Sequence, residues 1–478
     1  MSVVVIGAGI GGMCTAARLA RQGHDVTVFE SSAFVGGKCR TEWIGKYAFD
    51  LGPSLLTIPA VYRDFFQKTG KHLGQVITLT PVDPSFDYRF TDGTSVKFAN
   101  LSHNKTHDAI AESLGEDSAA QWSAMMKRAE RMWDVSREPF VESELRSIFS
   151  LLKRFTLLRD LFIITPWKSL RDFANELLPN QKLRYILDRY ATYSGSDPRS
   201  APAVLSTIAF IEETFGAWHI EGGIGNLSTA VHQRCVDLGV KFELNSPVEA
   251  INTGGRKVSG ITLADGRVID ADIVVANADA GLVYNKLIPG KKFKLRGARA
   301  RIKKSTPSFS GFSLLLGLRA DDAAAPLSHH TILFPENYDL EFEAIFTSKT
   351  PVEKPTIYIC APDDATMVKS EGHESLFVLV NAPRHSLDSS EGFDWSDRDF
   401  AQKYANSIID QIESQGIAIR NRLDLLEIRT PLDLQNAVNA PGGSIYGTSS
   451  NGPRAAFLRA RNRSPLKNLY LVGGSAHP

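Results

Sequence analysis

The stretch VVVIGAGIGG, residues 3–12, decides how the chain is read. Val3 to Ile6 is uniformly apolar and branched, the pattern of a strand buried on both faces of a parallel sheet. Gly7, Gly9 and Gly12 follow at GxGxxG spacing. Met13 to Gln22, with Ala16, Ala17, Leu19 and Ala20, predicts a helix, and Gly23 fits the position just past its end. Val26 to Phe29 predicts a second strand, ending at Glu30, eighteen residues beyond Gly12. Strand, glycine turn, helix, strand and acid form a dinucleotide-binding fingerprint, more specific than the glycines alone. Gly7 allows the tight turn, Gly9 lets backbone approach a pyrophosphate, and Gly12 lets helix pack closely on strand. The helix start offers N–H groups and a positive dipole end to phosphates. Glu30 is placed to accept a hydrogen bond from a ribose hydroxyl.

The next stretch, SSAFVGGKCRTEWIGKYAFDLGPSLL (31–56), adds a second glycine turn at Gly36 and Gly37. Lys38 and Arg40 are expected to bring two cations to the phosphate side. Phe49 to Pro53, with Gly52 and Pro53 at its end, turns the backbone again. Two glycine turns side by side suit a large cofactor lying extended through the domain.

Bulk properties narrow the remaining classes. The 478 residues suffice for about three domains' worth of chain. Basic and acidic side chains number 54 and 53, a net charge of +1, so the basic excess of a general nucleic-acid binder is missing. Cys14, Cys39, Cys235 and Cys360 are scattered without a CxxC pair, which suggests neither a zinc site nor a disulfide framework. The strand at Val3 leaves no room for a signal peptide before it, and no uninterrupted apolar run matches a membrane span. The expected location is the cytoplasm, with a peripheral position on the inner face of the membrane.

These motifs, with VGGKCRT (35–41) and FDLGPS (49–54), resemble the flavin-dependent amine oxidase and carotenoid desaturase superfamily. Later stretches narrow the resemblance to the bacterial-type phytoene and dehydrosqualene desaturases. They are YATYSGSDPRSAPAVLS (190–206), FGAWHIEGGIGNLSTAV (215–231), TPLDLQNAVNAPGGSIYG (430–447) and NLYLVGGSAHP (468–478). The resemblance covers essentially the whole chain and implies FAD as cofactor. It also implies that Val248, after Pro247, packs its backbone at the adenine end. Gly473, Gly474 and Ser475 would bond the ribityl-phosphate region. In the family a glycine-rich turn, a proline and a final helix follow this last strand, a segment expected to cap the flavin; the sequence stops at Pro478.

The implied fold is α/β: a Rossmann-like FAD-binding domain, an inserted mixed β-sheet substrate domain and a helical, membrane-facing subdomain. We expect the first from residues 1–70, 220–285 and 440–478, the second from 71–105 and 286–439, and the third from 106–219. Residues 305–318, 356–362 and 375–383 predict strands forming the floor of a substrate tunnel, while 397–415 predicts a solvated surface helix. A hairpin is expected across Asp265-Gly266, then a buried strand, Ile273 to Ala276. Within LRSIFSLLKRFTLLRDLFIITPWKSLRDF (145–173), Leu145, Ile148, Leu152, Phe155 and Leu158 recur at helical spacing. Arg146, Lys153, Arg154, Arg159, Lys168 and Arg171 accompany them, and Pro166 and Trp167 interrupt. From the residues alone this is either protein core or an interfacial helix. The resemblance favours the membrane, because a C30–C40 polyene must be drawn from lipid.

The implied reaction removes a hydride and a proton from adjacent saturated carbons, extending conjugation, with oxygen or a quinone as final electron acceptor. Such chemistry belongs largely to the cofactor. The catalytic residues stay unknown at this point: Asp50, Glu221 and His219 are candidate proton acceptors, and His219 reads first as a packed histidine. Trp218 and His219 are expected to wall the flavin ring, with the Gly222-Gly223 turn bringing backbone close to it. No metal cluster is expected. The alternatives are another flavin-dependent carotenoid or retinoid oxidoreductase (isomerase, hydroxycarotenoid desaturase, aldehyde-forming oxidase or saturase), an amine oxidase, and a flavin-free isoprenoid carrier.

Overall fold

The computed structural model describes residues 1–143, 156–290, 293–321 and 323–477. Val3 to Ile6 do form a central strand, Ser2–Ile6, in a five-stranded parallel sheet. The order across it is Leu469–Leu471, Ile273–Ala276, Ser2–Ile6, Asp25–Phe29 and Lys241–Glu243. Val4 lies opposite Val274 on one side and Thr27 on the other. Alternation sends the strand's side chains to two cores. Val3 and Val5 pack with Met13, Ala16 and Ala17 of the helix Ile10–Arg21 and with Leu227 and Val231 of the helix Gly225–Asp237. Val4 and Ile6 pack against Ile251, Val258 and Ile261 of a three-stranded antiparallel layer, Val248–Gly254, Lys257–Leu263 and Val268–Asp270. The Asp265-Gly266 hairpin is the turn between the last two of these strands.

A seven-stranded sheet stands beside this unit. Its order is Leu423–Arg429, Ser310–Leu318, Glu374–Ala382, Ile357–Cys360, His330–Leu333, Phe86–Arg89 and Ser95–Phe98. All neighbours are antiparallel except His330–Leu333 with Phe86–Arg89. Phe312, Leu314, Leu316 and Leu318 turn one face toward the helix Arg398–Ser414. That helix is a surface element with a solvated charged face, as expected, and its other face is core. Ala401, Tyr404, Ala405, Ile408, Ile409 and Ile412 are buried, and only its other side carries the charge. The opposite sheet face, with Leu315, Phe377 and Leu379, meets Tyr47 and Phe49 of the hairpin Thr41–Ile44/Tyr47–Asp50. Gly317 is required there, since a Cβ would lie 2.4 Å from the Tyr47 ring.

Between Asn100 and Phe215 the described residues are mainly helical. Trp122, Phe173, Ile186 and Leu187 share a core with Phe86, Tyr88 and Phe98 of the sheet edge. Ser169 caps the helix Leu170–Leu177 reciprocally with Asp172. Leu145, Ile148, Leu152 and Phe155, with Arg146, Lys153 and Arg154, lie outside the described residues. In the described part the expected basic face is largely neutralised: Arg159 pairs with Asp160, Lys168 with Glu176, and Arg171 with both Asp188 and Asp339. The apolar side chains stay outside, with Leu158 74%, Phe162 72% and Trp167 60% exposed. Among the described residues no helix is long and apolar enough to cross a membrane.

Candidate functional site

The glycine turn sits at the carboxyl end of the central strand, where open parallel sheets present their ligand crevice. Gly7 has φ +92, and a Cβ there would lie 2.6 Å from the Asn277 carbonyl oxygen. A Cβ at Gly9 would lie 2.5 Å from Asn277 Nδ2, and one at Gly12 2.4 Å from the Gly7 carbonyl oxygen. The turn therefore admits backbone only. Helix Ile10–Arg21 begins at Gly9 without a side-chain cap among the described residues and without an acid in its first turn. Its first N–H groups and dipole end are thus left to an anion.

The other predicted residues gather around this turn in two groups. Gly36 donates its N–H to the Ala8 carbonyl at 2.8 Å, and Gly37 lies against Gly9. Glu30 accepts from the N–H groups of Ala8 at 2.7 Å and Ser32 at 2.9 Å, so its carboxylate ties the two turns together. A carboxylate has about four lone-pair sites, which leaves capacity for a ribose. Val248 packs in the layer that holds Ile6 and Phe29, on the Glu30 side. Gly52 lies against the Lys38 carbonyl oxygen, 2.0 Å from where its Cβ would be, and Pro53 is exposed. The last strand brings Gly473 onto Asn277. Gly474 accepts from Arg459 through its carbonyl, and the Ser475 hydroxyl accepts from the Ala280 N–H at 2.9 Å. A cavity of about 520 Å³ opens here, lined by Asp279, Ser444, Gly447 and Ser475 among others.

Both expected cations have partners within the protein. Lys38 does not present a free cation to the glycine turn; its Nζ donates to the carbonyls of Ser444 (3.1 Å) and Ile445 (2.5 Å). Burial pulls its pKa down to about 8, against the opposing charge of Asp279. Arg40 pairs with Glu42 at 3.0 Å and lies over the Phe34 ring.

Of the candidate proton acceptors, Asp50 and His219 are engaged by the protein itself. Asp50 accepts from the Thr41 hydroxyl and the Ile224 N–H, and burial raises its pKa despite both donors. His219 Nε2 lies 2.8 Å from Asp364 Oδ2, an oxygen that also accepts from the Gly222 N–H. Glu221 is exposed, on a cleft of about 730 Å³ with Trp43, Lys71 and Gln233. The Gly222-Gly223 turn brings its backbone against Thr41 and Asp50, since a Cβ at Gly223 would lie 2.5 and 2.7 Å from their side-chain oxygens. Trp218 donates its Nε1–H to Phe215.

Sequence reasoning missed Asn277 and a buried polar network. Asn277 follows the Ile273–Ala276 strand, and that position at the end of a parallel strand was the available signal. The network joins Arg189, Glu212, Tyr190 and Tyr193. Both tyrosine hydroxyls donate to Glu212, at 2.6 and 2.7 Å, and Arg189 donates to the Tyr193 oxygen at 3.2 Å. Arg189 also stacks over Phe86, 4.5 Å from the ring centroid. Burial raises the Glu212 pKa, and the Arg189 charge and two phenols oppose the rise. The 190–206 motif thus builds a hydrogen-bonded interior in which Asp197 also holds Arg199 by a fork of bonds.

A side-chain-free cradle, an uncapped helix start and an acid at the end of the adjacent strand mark a dinucleotide-binding α/β protein. The flavin containing amine oxidoreductase family matches residues 10–391, and the chain belongs to it, with FAD as cofactor. Its relatives are carotenoid enzymes. The chain is 31% identical to a 1-hydroxycarotenoid 3,4-desaturase of Flavobacterium sp., covering 99% of this chain and 94% of the relative. It is 29% identical to a 4,4'-diapolycopene oxygenase of Methylomonas sp., covering 100% and 94%. It is 30% identical to a zeta-carotene-forming phytoene desaturase of Myxococcus xanthus, covering 100% and 90%. Among solved structures, putrescine oxidase shares the fold with a TM-score of 0.64 at 14% identity, over 98% of this chain and 93% of that one. When bound, FAD supplies a two-electron acceptor. Gly7, Gly9, Gly12, Glu30 and Gly36 are the residues that would hold its nucleotide end.

Proposed function

We propose that this chain oxidises a long isoprenoid polyene of the C30–C40 class, removing hydrogen from adjacent saturated carbons and lengthening the conjugated system. The observation that carries the reading is the end-to-end similarity to three carotenoid enzymes, two of them desaturases. The architecture is compatible with it. The seven-stranded sheet turns an apolar face, with Leu315, Phe377 and Leu379, toward the side from which the Thr41–Asp50 hairpin and Ile445 approach. An uncharged substrate is recognised by burial, at roughly 25 cal/mol per Å² of apolar surface. Leu315 and Phe377 are covered by the hairpin, so the half-buried Leu379 and Ile445 beside them mark where such a chain is laid. Phytoene is the lead substrate. Leu158, Phe162 and Trp167 dock the protein on the membrane face from which substrate is drawn, and oxygen or a membrane quinone takes the electrons onward.

A second reading, insertion of oxygen at a polyene end, is favoured specifically by the diapolycopene oxygenase relative. One experiment separates them. The chain is expressed in cells accumulating phytoene, a C30 precursor or an acyclic hydroxycarotenoid, and the pigments are extracted. We expect a product absorbing at longer wavelength whose mass has fallen by hydrogen pairs. A mass gain of oxygen establishes the second reading. Unchanged precursor in all three hosts, with flavin-loaded protein present, overturns both.

A further inference from the structure

We propose that His329, His330 and Cys360 form a zinc site between the seven-stranded sheet and the loop that follows the Thr41–Asp50 hairpin. The three residues come together through sheet register. His330 and Cys360 lie directly opposite each other on antiparallel strands. Such pairs hold their Cβ atoms about 5 Å apart on one face. His329 enters from the turn just before the strand, its ring 4.5 Å from that of His330. One donor atom from each residue lies within 4.8 Å of the other two. Donor atoms around a tetrahedral zinc stand about 3.3–3.5 Å apart, given Zn–N near 2.0 and Zn–S near 2.3 Å, so small side-chain rotations close the site.

The surroundings have the character of a ligand set rather than of packing. His330 is fully buried and Cys360 is 2% exposed. Among the described residues the Nε2 atoms of both histidines are buried with no hydrogen-bond partner. Unsatisfied buried polar atoms are rare in folded proteins, and two on neighbouring residues beside a thiol call for a shared partner. His330 Nδ1 is 2.9 Å from the Tyr358 hydroxyl, which lies 2.7 Å from Ser54 Oγ. A ligating histidine is ordinarily held through its second nitrogen in this way, leaving the first for the metal. Zinc displaces the Cys360 proton to solvent and takes the thiolate, and the fourth position is left to water. Through Tyr358 and Ser54 the bound ion fixes the Gly52-Pro53-Ser54 loop to the sheet. Neither a CxxC nor an HxxH spacing announces such a site, because its members meet only when two strands pair.

The test uses untagged, flavin-loaded protein from zinc-supplemented cells. Elemental analysis should find about one zinc per flavin, and zinc-edge X-ray absorption one sulfur and two imidazoles in the first shell. Cys360→Ser and His330→Gln should each lower zinc at least tenfold while the flavin-to-protein ratio holds. If a variant does not fold, the absorption spectrum of the wild type decides. Zinc below one-tenth per flavin, a shell without sulfur, or copper in its place overturns the proposal.

Discussion

At the residue scale, Lys38 shows what side-chain identity leaves undetermined. A lysine beside a glycine turn reads as a phosphate ligand. Here its ammonium is instead consumed by the carbonyls of Ser444 and Ile445, some four hundred positions away. The glycines were legible because their function is the absence of a side chain, which sequence states directly. Asn277 was not, because its contacts with Gly7, Gly9 and Gly12 exist only once two strands lie side by side. Lys38 also makes a measurable statement about pH. Its folded pKa is near 8, pulled down from 10.5 chiefly by burial. Between those values the unfolded chain binds more proton than the folded one, so stability rises with pH across the window. Below pH 8 the burial cost is fully present. Denaturant titrations of flavin-free protein from pH 7 to 10.5 should show this rise, and Lys38→Met should flatten it. An equal rise in the variant would assign it to another group.

At the element scale, periodicity was a good guide to existence and a poor one to environment. The helix Arg398–Ser414 was expected as a solvated surface helix, and its charged side is exposed, yet its i, i+3, i+4 stripe packs on the Phe312–Leu318 side of the sheet. The helix Leu157–Ile164 presents the opposite case. Its only buried side chain is Asp160, while Leu158 and Phe162 project outward, and Phe162 meets the exposed Trp167 edge-on at 5.9 Å. Exposed apolar clusters of this kind mark interaction surfaces. Burying a large apolar side chain stabilises by roughly 1.5–3 kcal/mol, so these three supply several kcal/mol toward a bilayer. With Arg159, Lys168 and Arg171 paired to acids, apolar insertion should outweigh attraction to anionic lipid. We therefore expect binding to neutral phosphatidylcholine vesicles that survives raised salt. Phe162→Asp with Trp167→Ala should cut sedimentation with vesicles at least tenfold without changing flavin content. Binding that salt abolishes, or that the double variant retains, would remove this element from the membrane contact.

At the scale of the whole molecule, the nucleotide sheet draws its five strands from residues 2–6, 25–29, 241–243, 273–276 and 469–471. Each piece alone is too short to stand, and their pairings span most of the chain, so closure costs must be met before contacts repay them. That assembly was legible where a strand carries its own turn, as at Val3–Gly12. What was illegible is which neighbour a short strand finds, as with Lys241–Glu243 beside Asp25–Phe29. A ligand held by the first turn, backed by Asn277 and flanked by the Gly473 turn ties three distant segments at once. Its binding energy should therefore appear as stability of the whole sheet. One site at a hundredfold excess over its dissociation constant contributes about 2.7 kcal/mol. FAD added to flavin-free protein should raise the unfolding midpoint and slow proteolysis at both ends of the chain together. Gly12→Ala places a methyl 2.4 Å from the Gly7 carbonyl oxygen and 2.9 Å from Asn277 Cβ, with no flexible neighbour to give way. It should abolish the FAD-dependent rise and reduce bound flavin at least tenfold. Protection of the amino-terminal segment alone, with the 460–477 region still cut at the flavin-free rate, would show that the last strand is no part of the cofactor's grip.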